Sequence, residues 1–313
     1  MDTKSIVMIV AQISLAALLT SVGLHASWRD ALRTMRNFRL LGRAVLAVNV
    51  AVPLTAIIIC GLLPIPQLMK VGIVIMSVSP LAPVLSLRLV QARVDASFAV
   101  GLDVALVLLS VIVVPLTIAL LSSIFPINAS VSPAAVAKLA TLSVLMPLAV
   151  GMLVRALTRA SVERLAKMLT VLGYVGLGLV VIALLYAQAR DAFDLIGSGV
   201  MIAILVTVLA GIVAGHFLAG SAPADKLAIT LAATLRHPGL AALIVQRNFP
   251  NQKVELTIIL YLLTAVAFSL LYQAWILKRT VARSALPSDG SSRKPKLRVS
   301  NSQSDEQHPR PQH

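Results

Sequence analysis

Three ionisable side chains, Asp103, Arg236 and His237, lie inside hydrophobic stretches of this sequence. A charge near the centre of a bilayer costs about 2.5–3.5 kcal/mol on insertion scales, and such groups usually mark function or pairing. A histidine exchanges protons near neutral pH, so His237 is a candidate proton carrier, or else a hydrogen-bonded structural residue. Asp103 is a second candidate proton carrier, and Arg236 is a candidate partner for a carboxylate.

Arg88 is a fourth charge, on the inner half of another hydrophobic stretch. Its guanidinium could hold an anionic substrate through two parallel hydrogen bonds. The alternative is that it extends to the inner lipid headgroups. No enzyme signature accompanies these residues: the sequence has no phosphate-binding loop and no His-Glu-x-x-His pair, and Cys60 is its single cysteine. We therefore expect neither an enzyme nor a bound cofactor or metal cluster.

Two interrupted hydrophobic segments must position these charges, residues 73–84 and residues 229–240. The residues that stop a helix there are Ser79, Pro80 and Pro83 in the first segment and Pro238 and Gly239 in the second. Proline removes an amide donor and clashes with the preceding turn. In hydrocarbon the freed backbone groups have no water, so such breaks survive only inside protein or beside a wet cavity. A matching pair of interrupted spans indicates a transporter's binding site.

The composition indicates an all-α polytopic membrane protein. Of 313 residues, 58% are hydrophobic and 12% are charged, whereas soluble domains have about 25% charged residues. Stretches near the roughly 20 residues that span a bilayer lie at about 5–26, 44–63, 68–90, 96–121, 136–154, 168–187, 195–219, 227–246 and 255–277. The net charge of +15 could suggest nucleic acid, but cytoplasmic loops collect basic residues, and aromatic residues are only 4%. The expected partner is therefore the lipid bilayer and not nucleic acid.

The basic loops give the orientation and the domain boundaries. Five arginines between positions 29 and 43 start an alternating pattern that predicts an outside N-terminus and a cytoplasmic C-terminus. Residues 1–277 form the predicted membrane domain, and residues 278–313 a basic tail too poor in apolar residues to fold. The interrupted spans are the third and the eighth, and so have opposite orientations. This predicts an inverted repeat of four plus five helices.

The motifs Ser79-Pro80, Ala92-Arg93 with Asp95, and Gly239-Leu240-Ala241-Ala242 make residues 5–277 resemble the bile acid:sodium symporter family. The resemblance implies a secondary transporter of a small or amphipathic organic anion in the inner or plasma membrane. It also implies a core of spans two, three, four, eight and nine, in which the interrupted helices cross. Spans one, five and six, with part of the remainder, would form a panel beside it.

The same resemblance shows where this chain departs from sodium-coupled relatives. The positions that carry sodium-binding oxygens in those relatives are here Leu85, Ser86, Ala99, Asp103, Ala232, Arg236 and His237. Asn49 lies one residue from another such position, an offset that turns it about 100° around a helix. Most sodium ligands are absent, so we do not expect sodium to bind as it does in the family. Three alternatives for the energy source of transport stay open: coupling to Na⁺, coupling to H⁺, and uniport, in which no ion is coupled.

The depths of Asp103 and Arg236 suggest an ion pair in place of a bound cation. They lie roughly 10 Å and 15 Å from the inner ends of their spans at 1.5 Å per residue, and the family mapping puts both beside the same site. The alternative for each is a charge packed against backbone carbonyls. For the whole chain, the alternative to a carrier is a non-transporting sensor or scaffold on the same fold. Export, as in the related arsenite-permease branch, gains little support from a single cysteine.

Overall fold

The computed structural model describes residues 3–26, 36–82, 85–92, 94–124, 141–158, 162–187, 198–248 and 254–285, with isolated positions 29, 32, 34, 134 and 138. Its helices in chain order are α1 (Thr3–His25), α2 (Phe38–Leu62), α3 (Gln67–Val78), α4 (Leu85–Gln91), α5 (Ala96–Ile124), α6 (Thr141–Leu157), α7 (Val162–Ala187), α8 (Gly199–Leu218), α9 (Pro223–Thr234), α10 (Pro238–Asn248) and α11 (Glu255–Ala285). Among the described residues, extended pairing is limited to an isolated antiparallel bridge between Leu81 and Arg236. The expectation of an all-α protein is confirmed.

Local sequence explains several helix boundaries. The Asp95 carboxylate accepts a hydrogen bond from the backbone N–H of Phe98 (2.8 Å) and caps α5. The Ser198 hydroxyl accepts one from the N–H of Val200 and caps α8. Leu63 has extended backbone angles, φ −90° and ψ 138°, because the residue before a proline is disfavoured in the helical region. Helix α2 therefore ends at Leu62.

Within the described part of the chain, five helices are long and apolar enough to cross a membrane: Ile6–His25, Phe38–Leu62, Val162–Ala187, Gly199–Leu218 and Glu255–Arg279. Shorter apolar helices occur at Gln67–Val78, Phe98–Leu109 and Thr141–Leu157. Helix α7 exposes a continuous apolar face that includes Val171, Leu172, Val175, Leu179 and Ile182. A face of this kind suits lipid and not water. The prediction of an integral, multi-pass membrane protein is confirmed, whereas the count of nine spans and the inverted repeat stay predictions.

Helices α1, α6 and α7 pack together as one group, which we call the panel. Gly23 on α1 and Gly151 on α6 let the two backbones touch, since a Cβ on either would lie 2.2 Å from a carbonyl oxygen of the other helix. The Ser21 hydroxyl on α1 donates a hydrogen bond to the carbonyl of Ala166 on α7 (2.9 Å). Small residues and interhelical hydrogen bonds are the usual means of joining helices in lipid.

The other helices form a second group, which we call the core. Two buried apolar clusters hold it together, one joining α2, α3, α8, α10 and α11, the other joining α2, α4, α5, α8, α9 and α11. Helix α8, the predicted seventh span, packs against α9, α2 and α11. It therefore belongs to the core. The sequence analysis had assigned this span to neither group by name.

The last helix is longer than the sequence predicted. Helix α11 continues to Ala285, so the predicted boundary at Lys278 falls inside a helix and not at the start of the tail. At the start of this extension, the guanidinium of Arg279 stacks over the ring of Trp275 at 4.2 Å, a favourable cation–π contact. The rest of the tail, 286–313, lies outside the described residues.

Candidate functional site

Both interrupted segments are broken in the structure. Helix α3 ends at Val78, and Ser79 leaves the helix with φ −59° and ψ 150°, as expected for the residue before Pro80. Helix α9 ends at Thr234, and α10 begins at Pro238. Ser79 and Pro80 therefore lie in the first break. Pro83 and Arg93, which the sequence also singled out, lie outside the described residues.

The two breaks cross and satisfy each other's backbone. The N–H of His237 donates to the carbonyl of Pro80 (2.8 Å), and the N–H of Ala82 donates to the carbonyl of Leu235 (3.2 Å). These bonds form the antiparallel bridge at Leu81 and Arg236. In hydrocarbon an unpaired N–H or C=O costs several kcal/mol, so each break supplies the partners that the other lacks.

Pro238 and Gly239 start the second half-helix and are not the unwound residues themselves. Pro238 is the first residue of α10, where its missing N–H is not needed. A Cβ at Gly239 would lie 1.7 Å from Cδ1 of Leu15. A larger residue at position 239 would therefore displace the Leu15 side chain, at the point where α10 meets α1 of the panel. The unwound residues are Leu235, Arg236 and His237.

His237 caps helix α10 with its ring. Nδ1 accepts a hydrogen bond from the backbone N–H of Leu240 (3.1 Å), the geometry of an N-terminal cap. An accepting Nδ1 carries no hydrogen, which places the hydrogen of the neutral ring on Nε2. Nε2 is buried and has no hydrogen-bond partner among the described residues. This arrangement favours the structural interpretation of His237, and its role in proton transfer stays a hypothesis.

Arg236 is fully buried at the crossing, with 0% of its surface exposed. Its Nη1 donates to the carbonyl of Ser79 (3.2 Å), and its Nη2 donates to the carbonyl of Val48. Neither terminal nitrogen is bonded to Asp103, whose two carboxylate oxygens have no hydrogen-bond partner among the described residues. The expected ion pair is therefore absent, because carbonyls freed by helix interruptions bind the guanidinium instead.

The carbonyl of Val48 is free for a reason that the sequence contains. Residues Leu46–Ala51 form a π-turn inside α2, and the N–H of Val52 donates to Ala47 instead of Val48. In a π-turn the carbonyl of Val48 would accept a hydrogen bond from the N–H of residue 53. That residue is Pro53, which has no N–H. Asn49, half-buried in the same turn, is adjacent to the residue that contacts Arg236.

Asp103 lies at the boundary between core and panel. The panel-packed residues of α5 are Val100, Val104 and Val107, and the core-packed residues are Ala99, Leu102 and Leu106. At 100° per residue, Asp103 falls between these two stripes. Its side chain is 1% exposed. The hydroxyl and the backbone N–H of Ser86, near the start of α4, interact with this carboxylate, although neither forms a hydrogen bond with it.

Three more polar residues are linked to Asp103 through Tyr174 or to one another. Arg88 is half-buried on α4, with Nη1 3.5 Å from the Ser269 hydroxyl of α11. Tyr174 of panel helix α7 interacts electrostatically with both Arg88 and Asp103. We call the set Ser86, Arg88, Asp103, Tyr174 and Ser269 the boundary cluster. The cluster contains one cation, three hydroxyls and one carboxylate that has no hydrogen bond among the described residues, a set that can bind an anion and exchange a proton.

Sequence reasoning found Ser86, Arg88 and Asp103 but missed Tyr174 and Ser269. One signal was available for Tyr174, because the chain has only four tyrosines and a span interior is an unusual place for one. Ser269 carries no such signal, since a serine within a membrane helix commonly bonds its own backbone. It does so here, to the carbonyl of Val266.

Of the seven residues at the family's sodium positions, Ser86 and Asp103 keep side-chain oxygens, and the other five have none. Ala232, Leu85 and Ala99 are buried and apolar, so they offer no side-chain oxygen. The carbonyls of Val48 and Ser79 are bonded to Arg236. A hard cation needs several oxygen ligands, and a second positive charge beside a buried guanidinium would be repelled.

The model of the sodium bile acid symporter family matches residues 12–193. This match covers more than half of the chain and includes the first interrupted helix, Asp103 and Tyr174. It ends before the second interrupted segment. No individual curated protein matches the sequence.

Proposed function

Because the chain belongs to the sodium bile acid symporter family, we propose that it is a secondary transporter of a small or amphipathic organic anion. The observation that supports this most strongly is the boundary cluster, in which panel residue Tyr174 interacts electrostatically with half-buried Arg88 and with Asp103, whose carboxylate has no hydrogen bond among the described residues. A polar cluster between two packed groups of helices is where relative movement can open a path to either face of the membrane.

Arg88 binds the negative group of the substrate in this proposal. A guanidinium forms two parallel hydrogen bonds with a carboxylate or sulfonate, and the contact of Arg88 with Ser269 is long enough at 3.5 Å to yield to a stronger acceptor. The apolar walls of α1, α5 and α6 suit the hydrophobic part of an amphipathic anion. The competing interpretation, in which Arg88 reaches the lipid headgroups, predicts no effect of Arg88 on substrate affinity.

Alternating access follows from the proposed architecture of nine spans in a four-plus-five inverted repeat. The panel moves against the core while the crossing stays intact, because its backbone bonds are all within the core. The proposed setting is the inner or plasma membrane, with the N-terminus outside and the C-terminus in the cytoplasm.

Protons are the proposed coupling ion, with Asp103 as the group that takes them up. A carboxylate beside a moving boundary can take up and release a proton, and movement of the panel with its substrate changes the surroundings of Asp103. The described residues that interact with it are Ser86 on α4 and Tyr174 on α7. Uniport is the remaining outcome if no gradient drives uptake.

The test is uptake of labelled organic anions by proteoliposomes holding the full chain, with imposed gradients. We expect uptake that an inward proton gradient stimulates and that replacing sodium by potassium leaves unchanged. Sodium-stimulated uptake would overturn the coupling proposal alone. Absence of flux for every class of anion would overturn the carrier proposal and favour a non-transporting sensor or scaffold.

A further inference from the structure

The guanidinium of Arg236 connects three separate interruptions of helical structure. Its own residue lies in the second break, Ser79 lies in the first break, and Val48 lies in the π-turn of α2. Each of the two bonded carbonyls lacks its ordinary helical donor. The side chain therefore supplies donors to acceptors that would otherwise stay unpaired in a region without water.

The electrostatics of the crossing also suit a cation. Helix α3 ends at Val78 and helix α9 ends at Thr234, so the C-terminal ends of both face the residues that cross. A helix C-terminus carries roughly half an elementary negative charge. The described surroundings offer no carboxylate to Arg236, and the ionisable group that interacts with it is Tyr261 of α11. Backbone dipoles rather than an acid therefore balance the charge.

We propose that the crossing is a cation-binding site built from backbone carbonyls and helix ends, and that Arg236 fills it permanently with a guanidinium. Two consequences follow. The interrupted helices need no metal cation to stay together, and removal of the side chain leaves a site that accepts a free guanidinium ion. This proposal concerns the stability of the crossing and does not depend on what the protein transports.

The experiment compares the full chain with Arg236→Ala in detergent, by thermal unfolding. The substitution removes the atoms of ethylguanidinium, so millimolar ethylguanidinium is the matched probe. We expect Arg236→Ala to lower the Tm by about 5–10 °C and ethylguanidinium to restore several degrees of it. The control is Arg279→Ala, because Arg279 is exposed and stacked on Trp275. Its Tm should not respond to the probe.

Two further measurements cover the case in which Arg236→Ala does not fold. Arg236→Lys keeps the charge but presents one compact ammonium, which reaches two separated carbonyls poorly, so its Tm should lie below that of the wild type. The Tm of the wild type should be equal in sodium, potassium and choline chloride at one ionic strength. A sodium-specific rise in Tm, a stable Arg236→Ala, or equal rescue of both alanine variants would overturn the proposal.

Discussion

Arg236 and Asp103 are both buried charges of the core, and they differ in what satisfies them. The guanidinium of Arg236 has two carbonyl acceptors, whereas the carboxylate of Asp103 has no hydrogen-bond donor among the described residues. The broken helices explain the Arg236 side of this difference. The N–H groups of Ala82 and His237 are used in the crossing, whereas the carbonyls of Ser79 and Val48 stay available to the guanidinium.

The comparison separates a structural charge from a functional one. A buried charge whose partners are backbone atoms at a crossing cannot leave without cost, so Arg236 holds the fold. A buried carboxylate without a partner gains one only when its surroundings change or when it binds a proton. Asp103, at the boundary with the panel, is placed for such a change.

The largest effect we predict is on stability. Arg236→Met keeps much of the side-chain volume but removes both donors, and leaving two buried carbonyls unpaired should cost about 2–5 kcal/mol. Asp103→Asn should cost far less, because no bond to Asp103 is broken. Thermal unfolding of both variants in detergent measures the difference. Equal loss in the two variants would mean that Asp103 has a structural partner after all.

The second prediction concerns transport. Asp103→Asn cannot ionise, so proton-driven uptake should fall by roughly tenfold or more while the protein stays folded. Exchange of substrate without a proton gradient should be less affected. Asp95→Asn is the matched control on the same helix, because Asp95 is exposed and caps α5, a role that asparagine can keep. If proton-driven uptake survives Asp103→Asn, Asp103 is not the group that couples transport to protons.

The third prediction concerns substrate affinity. Loss of charge-assisted hydrogen bonds is worth about 1.5–3 kcal/mol, so Arg88→Gln should raise the KM for an anion by about 10–100-fold. Arg88→Lys should recover part of this loss. The unfolding temperature should change little, since the bond of Arg88 to Ser269 is long. An unchanged KM with reduced stability would favour an Arg88 that only anchors the helix.

The smallest effect we predict is a coupling energy. Pro53→Ala adds an N–H near the carbonyl of Val48, so that Arg236 is no longer the sole donor available to it. Arg236→Met should then be less destabilising in the Pro53→Ala background, by about 0.5 kcal/mol. The double-mutant cycle is measured by the same unfolding assay. If the effects of the two substitutions on the free energy of unfolding simply add, Pro53 does not determine whether the carbonyl of Val48 lacks a donor.

The sequence was sufficient for the interrupted helices. Proline cannot donate a backbone hydrogen bond, and so Ser79-Pro80 and the residues before Pro238 could be identified as breaks without any structure. The approximate positions of the helices could be predicted from the lengths of the hydrophobic stretches, which are also a local property of the sequence. The end of α11 at Ala285 was missed because composition favoured a tail, whereas contacts such as that of Arg279 with Trp275 are not visible in composition.

The partner of Arg236 could not be predicted, because it depends on where helices meet. Depth along the membrane placed Arg236 near Asp103, but depth says nothing about rotation around a helix. The sequence did contain Pro53, and a proline inside a span frees a carbonyl. Which carbonyl it frees depends on the π-turn, a backbone detail that sequence patterns do not encode. Tyr174 was missed for a related reason, since its interaction with Asp103 depends on the packing of panel on core.

The bridge between Leu81 and Arg236 has a consequence for how the protein is made. The first interrupted helix leaves the ribosome long before the second, by roughly 10–30 s at ordinary rates of synthesis. Until residues 235–237 arrive, Ala82 and Pro80 lack the partners that they have in the finished protein. During this interval the segment must therefore be hydrated or bound by the insertion machinery. A chain truncated before α9 never gains these partners, and we expect cells to degrade it.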